Sequence, residues 1–314
     1  MRRTMSLCLT LACPARTRPV AEQLGTTIES PDVSLRLFAA PATPGNWGTG
    51  ALTIIGVHGG PAIVTTSMAQ LASLAGVGFD VVWFHQRGVP PSSPSASRDY
   101  GLPAYAEDIV HVTHAAGGSA PRVLVAFSWG ALPAIAAVQL DPTAFDGLVL
   151  VSPAPPTWRA DKETQPAIDD ALDRWTMLGE LPPDWRERPS CERLIISSAG
   201  LDAGRPAPPP ELPAAATCNV EVMQATRRAV GQYDLVESFR SLDLPVLVVR
   251  GEYDVLGRVA TFEDQPPPRM NARTLSGCGH GILADAGCRA EFFAELRRWA
   301  AQIGPRPPTV VPPP

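Results

Sequence analysis

The apolar run Val123-Leu124-Val125-Ala126-Phe127 passes directly into Ser128-Trp129-Gly130 and then into the helical stretch Ala131 to Leu140. A buried strand, a tight turn carrying a serine, and a helix follow one another without a linker. Such a turn raises the serine hydroxyl above a sheet and aims the amino end of the next helix at it. Residues two before and two after the serine must be very small. Gly130 meets that demand, and Ala126 adds only one methyl group. A serine in this place could also simply cap the helix, so the reading needs partners elsewhere in the chain.

Outward from this stretch the same rhythm recurs. Ala51 to Val57, Phe79 to Phe84, Gly147 to Val151 and Val246 to Val249 are further short apolar runs, continuous rather than alternating. Continuous runs of this length mark strands covered on both faces. Helical stretches at Leu102 to Ala116, Ala131 to Leu140 and Glu291 to Ile303 fall between or after them. Alternating strand and helix predicts an α/β fold with a mostly parallel sheet, and Val33 to Phe38 is a candidate antiparallel edge. From Pro153 to about Leu242 the rhythm breaks. Helical stretches at Ile168 to Leu178 and Val222 to Phe239 are divided by proline-rich loops, as expected of a cap inserted into the sheet.

A serine hydroxyl needs a histidine base, and the histidine needs an acid to orient it. Of five histidines, His280 lies in the glycine-rich loop Ser276 to Gly281, where its ring can swing over the strand ends. His111 and His114 sit on a helix and suit a packed or solvated role. Asp254 directly follows the strand at 246–249, at the carboxyl edge where α/β proteins place their sites. Glu252 is the rival acid, weaker for lying nearer the strand. Ser128, Asp254, His280 is the serine–acid–histidine order that accompanies a serine on such a strand–turn–helix elbow. An acyl intermediate also needs amide donors for its oxyanion, and these are expected from Trp129 and Gly60, the latter in His58-Gly59-Gly60-Pro61.

Taken together these motifs resemble the α/β-hydrolase superfamily, and within it the proline iminopeptidase (prolyl aminopeptidase) branch. That branch carries H-G-G-P-G, D-Q-R-G, G-x-S-W-G, G-R-Y-D and G-H in order. Here they read H-G-G-P-A at 58–62, H-Q-R-G at 85–88, A-F-S-W-G at 126–130, G-E-Y-D at 251–254 and G-H at 279–280. Ala62, His85, Ala126 and Glu252 depart from the pattern. The resemblance implies an α/β-hydrolase fold with a helical cap, covering about residues 35 to 300. It implies a serine hydrolase cleaving an ester or amide bond, with N-terminal proline aminopeptidase as its narrowest form. Because the branch reads a free amino group with cap acids, Glu221 and Glu237 are candidates by location, and as ordinary solvated carboxylates otherwise. An esterase, thioesterase or acyltransferase, or a binding module without turnover, are the alternatives. His58 is expected to shape the oxyanion loop and Arg87 to brace neighbouring loops.

Composition limits the partners. At 314 residues the chain can bury a substantial core, and its net charge of -5 gives no reason to expect nucleic acid. Six cysteines without a C-x-x-C pair give poor support to zinc and are read as reduced thiols. No cofactor or metal is called for, and the expected partner is a small molecule or short peptide. No segment reaches the ~18 apolar residues of a membrane span. Residues 1–30 are taken as a flexible leader of a cytoplasmic protein, with export as the alternative if Met5 to Ala12 is a signal core. The remaining division is 31–152 and 243–304 for the core, 153–242 for the cap and 305–314 for a proline-rich tail.

Overall fold

The computed structural model describes residues 25–304 apart from 31, 66–67 and 210–215. The first 24 residues of the expected leader and the whole tail, with Cys8 and Cys13, lie outside the described residues. Ten strands and seven α-helices occur within them. In chain order the core begins with β1 (Gly25–Glu29), β2 (Ser34–Ala40), β3 (Leu52–Val57), β4 (Ile63–Thr65) and β5 (Phe79–Phe84). It continues through α1 (Leu102–Ala116), β6 (Arg122–Phe127), α2 (Ala131–Leu140) and β7 (Gly147–Val151). Next come α3 (Trp158–Met177), α4 (Ser190–Ser198), β8 (Ala216–Cys218), α5 (Val220–Val230) and α6 (Val236–Arg240). The chain closes with β9 (Val246–Gly251), β10 (Met270–Leu275) and α7 (Ala286–Ala300).

Eight strands form one sheet in the order β1-β2-β5-β3-β6-β7-β9-β10. From β5 to β10 neighbours are parallel, and β1 and β2 are antiparallel at one edge. The continuous apolar runs now have a physical reason. Along each central strand, successive residues point to opposite faces, and both faces are covered. Ile55, Val57, Leu124, Ala126, Leu148 and Leu150 pack toward α1 and α2. Ile54, Val123, Val125, Val149, Leu247 and Val249 pack toward α7 and the turn at Met68–Val77. Each fully buried aliphatic side chain contributes roughly 1.5–3 kcal/mol.

Four expectations change. Gly25–Glu29, assigned to the leader from sequence, pairs with Ser34–Ala40 as an edge strand. Its sequence G-T-T-I-E lacks an apolar run because an edge strand need not be buried on both faces. The single helical stretch expected at Val222 to Phe239 is two helices, broken at Gly231, whose φ of +57° favours glycine. The closing helix starts at Ala286, where the Asp285 side chain caps it by accepting from the Cys288 N–H. The described cysteines are paired rather than free: Cys191 bonds Cys218 and Cys278 bonds Cys288.

Between β7 and β9 the helices α3 to α6 stand over the carboxyl ends of the strands. This segment is anchored by a second, two-stranded sheet in which β8 pairs antiparallel with β4. Asn219 follows β8 and acts three ways. Its side chain caps α5, its amide donates to the Ala62 carbonyl (3.0 Å), and its side-chain amide donates to the Gly88 carbonyl (3.0 Å).

Candidate active site

The turn after β6 places Ser128 at φ +55°, a left-handed conformation that a non-glycine residue adopts only when its surroundings enforce it. The enforcement is visible in the packing. A Cβ at Gly130 would lie 2.5 Å from the His58 carbonyl oxygen, and one at Gly59 would lie 2.9 Å from the Ser128 Cβ. The elbow and the loop after β3 are thus pressed together, with no room for side chains. Ala126 is tolerated because its methyl points into the core, opposite Val57.

The structure brings Ser128, His280 and Asp254 into one hydrogen-bonded line. His280 Nε2 is 3.0 Å from Ser128 Oγ, and His280 Nδ1 is 3.2 Å from Asp254 Oδ1. Asp254 is 2% exposed, and its Oδ1 also accepts from the Leu256 N–H at 3.1 Å. With the carboxylate on Nδ1, the Nε2 face is turned toward the hydroxyl, as a base requires. Glu252, the rival acid, points elsewhere: it is exposed and accepts the Gly277 N–H at 2.8 Å, bracing the histidine loop. His111 and His114 lie away from the site, bonded to the Glu29 carbonyl and to Asp141.

His58 organises the loop that carries Gly60. Its Nδ1 donates to the Gly59 carbonyl (2.7 Å) and its Nε2 accepts the Gln86 N–H (3.0 Å), while the Gln86 side chain donates to the His58 carbonyl (2.7 Å). These partners require the neutral ring. Burial pushes its pKa down to about 3, against the Gly59 carbonyl bond, which favours the charged form. His85, where the resemblance expects an acid, bonds the Pro90 carbonyl at 2.7 Å, and burial lowers its pKa as well. Ala62, in place of a glycine, holds φ +55° and is fully buried. Arg87 is buried with all its donors used: Asp108 at 2.8 and 2.9 Å, Asp32 at 3.2 Å, and the carbonyls of Asp99 and Ala104.

Of the remaining sequence candidates, Gly60 and Trp129 both border the space around Ser128. Glu221 and Glu237 do not. Glu221 lies exposed in an outer cleft with Arg98 and Arg228, and Glu237 is exposed and paired with Arg240 at 2.6 Å. Their helices α5 and α6 turn these positions to solvent.

Two residues carry no sequence signal for their place here. Asp202, in the single 3-10 turn after α4, is 4% exposed, and its carboxylate accepts the backbone N–H of His280. Burial raises its pKa, opposed by that bond. Arg205 lies 3.6 Å from its other oxygen and stacks over Tyr253. No local motif marks an acid whose partner is 78 positions away. Arg250 was missed for the same reason. Buried at the end of β9, it pairs with Glu263 and donates to the Pro153 carbonyl, holding the chain where it leaves β7.

Two cavities open on Ser128. One, of about 170 Å³, is bordered by His280, Gly281, Ala284, Met68 and Ile195. The other, of about 640 Å³, is bordered by Trp129, Trp158, Leu172, Trp185 and Tyr233. Among the described residues no group of three or more His, Cys, Asp or Glu is placed to hold a metal ion, and no helix is long and apolar enough to cross a membrane.

This architecture has known counterparts. Residues 53–184 match the family described as the alpha/beta hydrolase fold. The chain has the α/β-hydrolase fold. Among solved structures this α/β-hydrolase fold is similar to proline iminopeptidase of Mycobacterium smegmatis, with a TM-score of 0.64 and 20% identity. The match covers 89% of this chain and 98% of that one. It is similar also to an esterase from Exiguobacterium antarcticum, with a TM-score of 0.60 and 18% identity over 89% of this chain and 100% of the other. At such identities the likeness carries the fold and no activity. A curated relative, the polyketide synthase ThaQ of Burkholderia thailandensis, is 27% identical over 225 residues, covering 66% of this chain. The match spans only 10% of the length of that relative.

Proposed function

We propose that this α/β-hydrolase cleaves an ester or amide bond through an acyl-enzyme formed on Ser128. The observation that carries the reading is the line from Ser128 Oγ through His280 to Asp254, at 3.0 and 3.2 Å, on a strained turn beside two cavities. In the first step Oγ bonds the substrate carbonyl carbon while its proton passes to His280 Nε2. Asp254 orients the ring and balances the imidazolium charge. The amides of Gly60 and Trp129 donate to the oxyanion. As the tetrahedral intermediate collapses, the leaving group takes the proton from Nε2 and the carbonyl–leaving-group bond breaks. Water then attacks the acyl-enzyme carbon, giving its proton to His280 Nε2, and that proton returns to Ser128 Oγ as the carbon–Oγ bond breaks and the acid leaves. Residues 153–242 act in this reading as a cap over the site.

The narrower reading, an N-terminal proline aminopeptidase, draws on the five ordered motifs and the similarity to proline iminopeptidase. It needs an acid for the substrate's amino group. Asp161 supports that role: it borders the larger cavity with Ser128, and burial raises its pKa against the opposing charges of Lys162 and Arg227. A thioesterase or acyltransferase draws on the similarity to part of ThaQ. The two disulfides favour export to an oxidising compartment over the reducing cytoplasm.

Labelling with a fluorophosphonate tests the reaction class. The wild-type protein should label and Ser128→Ala should not, with loss of ester turnover and an unchanged circular dichroism spectrum. Full activity in Ser128→Ala ends the proposal. Rates on a proline anilide, an N-blocked proline anilide and an aryl ester then separate aminopeptidase from esterase.

A further inference from the structure

We infer that the two cavities meeting at Ser128 divide the substrate, the larger taking the acyl group and the smaller the leaving group. The inference rests on the acyl-transfer reading above. Both cavities share Ser128, Gly60, Ile63, Ser198 and Leu201. They differ in what else they touch. His280, Gly279 and Gly281 border only the smaller one, whereas Trp129 and Pro61 border only the larger.

The proton sets the direction. The leaving atom must come within hydrogen-bond reach of His280 Nε2 when the tetrahedral intermediate collapses. A leaving group can meet that nitrogen only from the side on which His280 faces open space, which is the smaller cavity. With the oxyanion turned to the amides of Gly60 and Trp129, the remaining substituent of the carbonyl carbon, the acyl chain, extends into the larger one.

Size then restricts each half. An apolar cavity of about 150 Å³ holds a molecule the size of benzene, and the smaller cavity here is about 170 Å³. Its wall is mainly apolar, with Met68, Ile195, Leu201 and Ala284. The charges at its edge, Asp202 and Arg205, are already paired with each other and with backbone groups. It suits a compact aryl or short alkyl alcohol, thiol or amine. The larger cavity, about 640 Å³, falls in the range of roughly 300–1,000 Å³ that accommodates drug-sized ligands. Trp158, Trp185 and Tyr233 offer broad apolar faces there, and Asp161, Gln165 and Arg227 offer both signs of charge and an amide. Its chemistry matches a bulky acyl group with polar substituents on an apolar body. The substrate class is therefore an ester, thioester or amide of a large functionalised acid with a small apolar leaving group.

The test is a two-way series of esters on the wild-type protein. One arm holds the phenol constant and enlarges the acyl group from acetyl through hexanoyl to an N-acylated aromatic amino acid. The other holds the acyl group constant and enlarges the leaving group from methanol through phenol to 4-phenylphenol. We expect kcat/KM to rise on the order of tenfold or more along the first arm and to fall by a similar factor from phenol to 4-phenylphenol. Ala284→Phe should lower the ratio of phenyl-ester to methyl-ester turnover. Leu194 borders the larger cavity, and Leu194→Trp should lower the ratio of long-acyl to acetyl turnover. The reverse preferences, or exchange of the two variants' effects, overturn the partition while leaving acyl transfer intact. No turnover of any ester also overturns the partition, and if Ser128 fails to label with fluorophosphonate the reaction class falls with it. Should either variant fail to fold, the wild-type series decides alone.

Discussion

The carboxylate of Asp202 accepts the backbone N–H of His280. An acid from the segment between β7 and β9 therefore holds the loop on which the candidate base stands, through its backbone rather than its ring. Asp202→Ala leaves a buried amide without an acceptor, at a cost of about 1–3 kcal/mol. It also frees the ring to drift, and displacement of a reacting group by an ångström lowers rate on the order of a hundredfold. The expected result is a fall in kcat larger than any change in KM on an aryl ester. Asp202→Asn, which keeps an acceptor oxygen, should recover most of it. Wild-type kcat in the alanine variant would show that the contact positions nothing.

Each disulfide closes a loop in the unfolded chain, of 27 residues for Cys191–Cys218 and 10 for Cys278–Cys288. The chain-entropy relation gives about 3.6 kcal/mol for the first and about 2.7 kcal/mol for the second. Thermal unfolding with and without a phosphine reductant should differ by several degrees. The Cys278→Ser/Cys288→Ser pair should reproduce part of that drop and lower kcat, since the bridge spans the His280 loop. Identical midpoints under both conditions would show that the thiols are unpaired in solution.

His58 links stability to pH. In the unfolded chain it takes up a proton near its ordinary value of 6.5, and in the folded chain only at about 3. Between those values the unfolded state binds more protons, so stability rises with pH. The contribution is complete above about pH 6.5 and is lost as pH falls toward 3, at about 1.4 kcal/mol per pH unit. Denaturant unfolding at pH 7, 6 and 5 should show this slope, and His58→Gln should flatten it. Parallel slopes in the two proteins would contradict a buried neutral ring.

Arg87 and Asp108 are both about 2% exposed and joined by two hydrogen bonds. Removing only one charge strands the other away from water, which costs about 3–5 kcal/mol. Asp108→Ala should accordingly shift the urea midpoint strongly downward. A loss under 1 kcal/mol would place the guanidinium in solvent.

What could be read in the chain follows from how local each signal is. The central strands were legible because burial on both faces leaves an unbroken apolar run, as at Leu52–Val57 and Val246–Gly251. The edge strands β1 and β10 were not located. Met270–Leu275 reads M-N-A-R-T-L, and four of its six residues are exposed. Ser128, Asp254 and His280 were legible because each sits directly after a strand or in a glycine-rich loop at the sheet's carboxyl edge. Asp202 and Asp161 belong to helical or turn segments whose packing over the sheet has no local signature. Glu221 and Glu237 were plausible by position alone, and helix phase, set by which face of α5 and α6 is apolar, turned them outward. The cysteine pairing failed for a similar reason: spacing along the chain says little about which thiols become neighbours.

The pairing of Ile63–Thr65 with Ala216–Cys218, together with the three bonds of Asn219, has a bearing on transplantation. A foreign segment spliced between β7 and β9 inherits three obligations: a strand edge for Ile63–Thr65, a donor for the Gly88 carbonyl, and an acceptor for the amide of His280. A graft chosen only for its cavity would leave the serine's surroundings unbuttressed. Recombination at this position can vary what is bound only among inserts that also carry those struts.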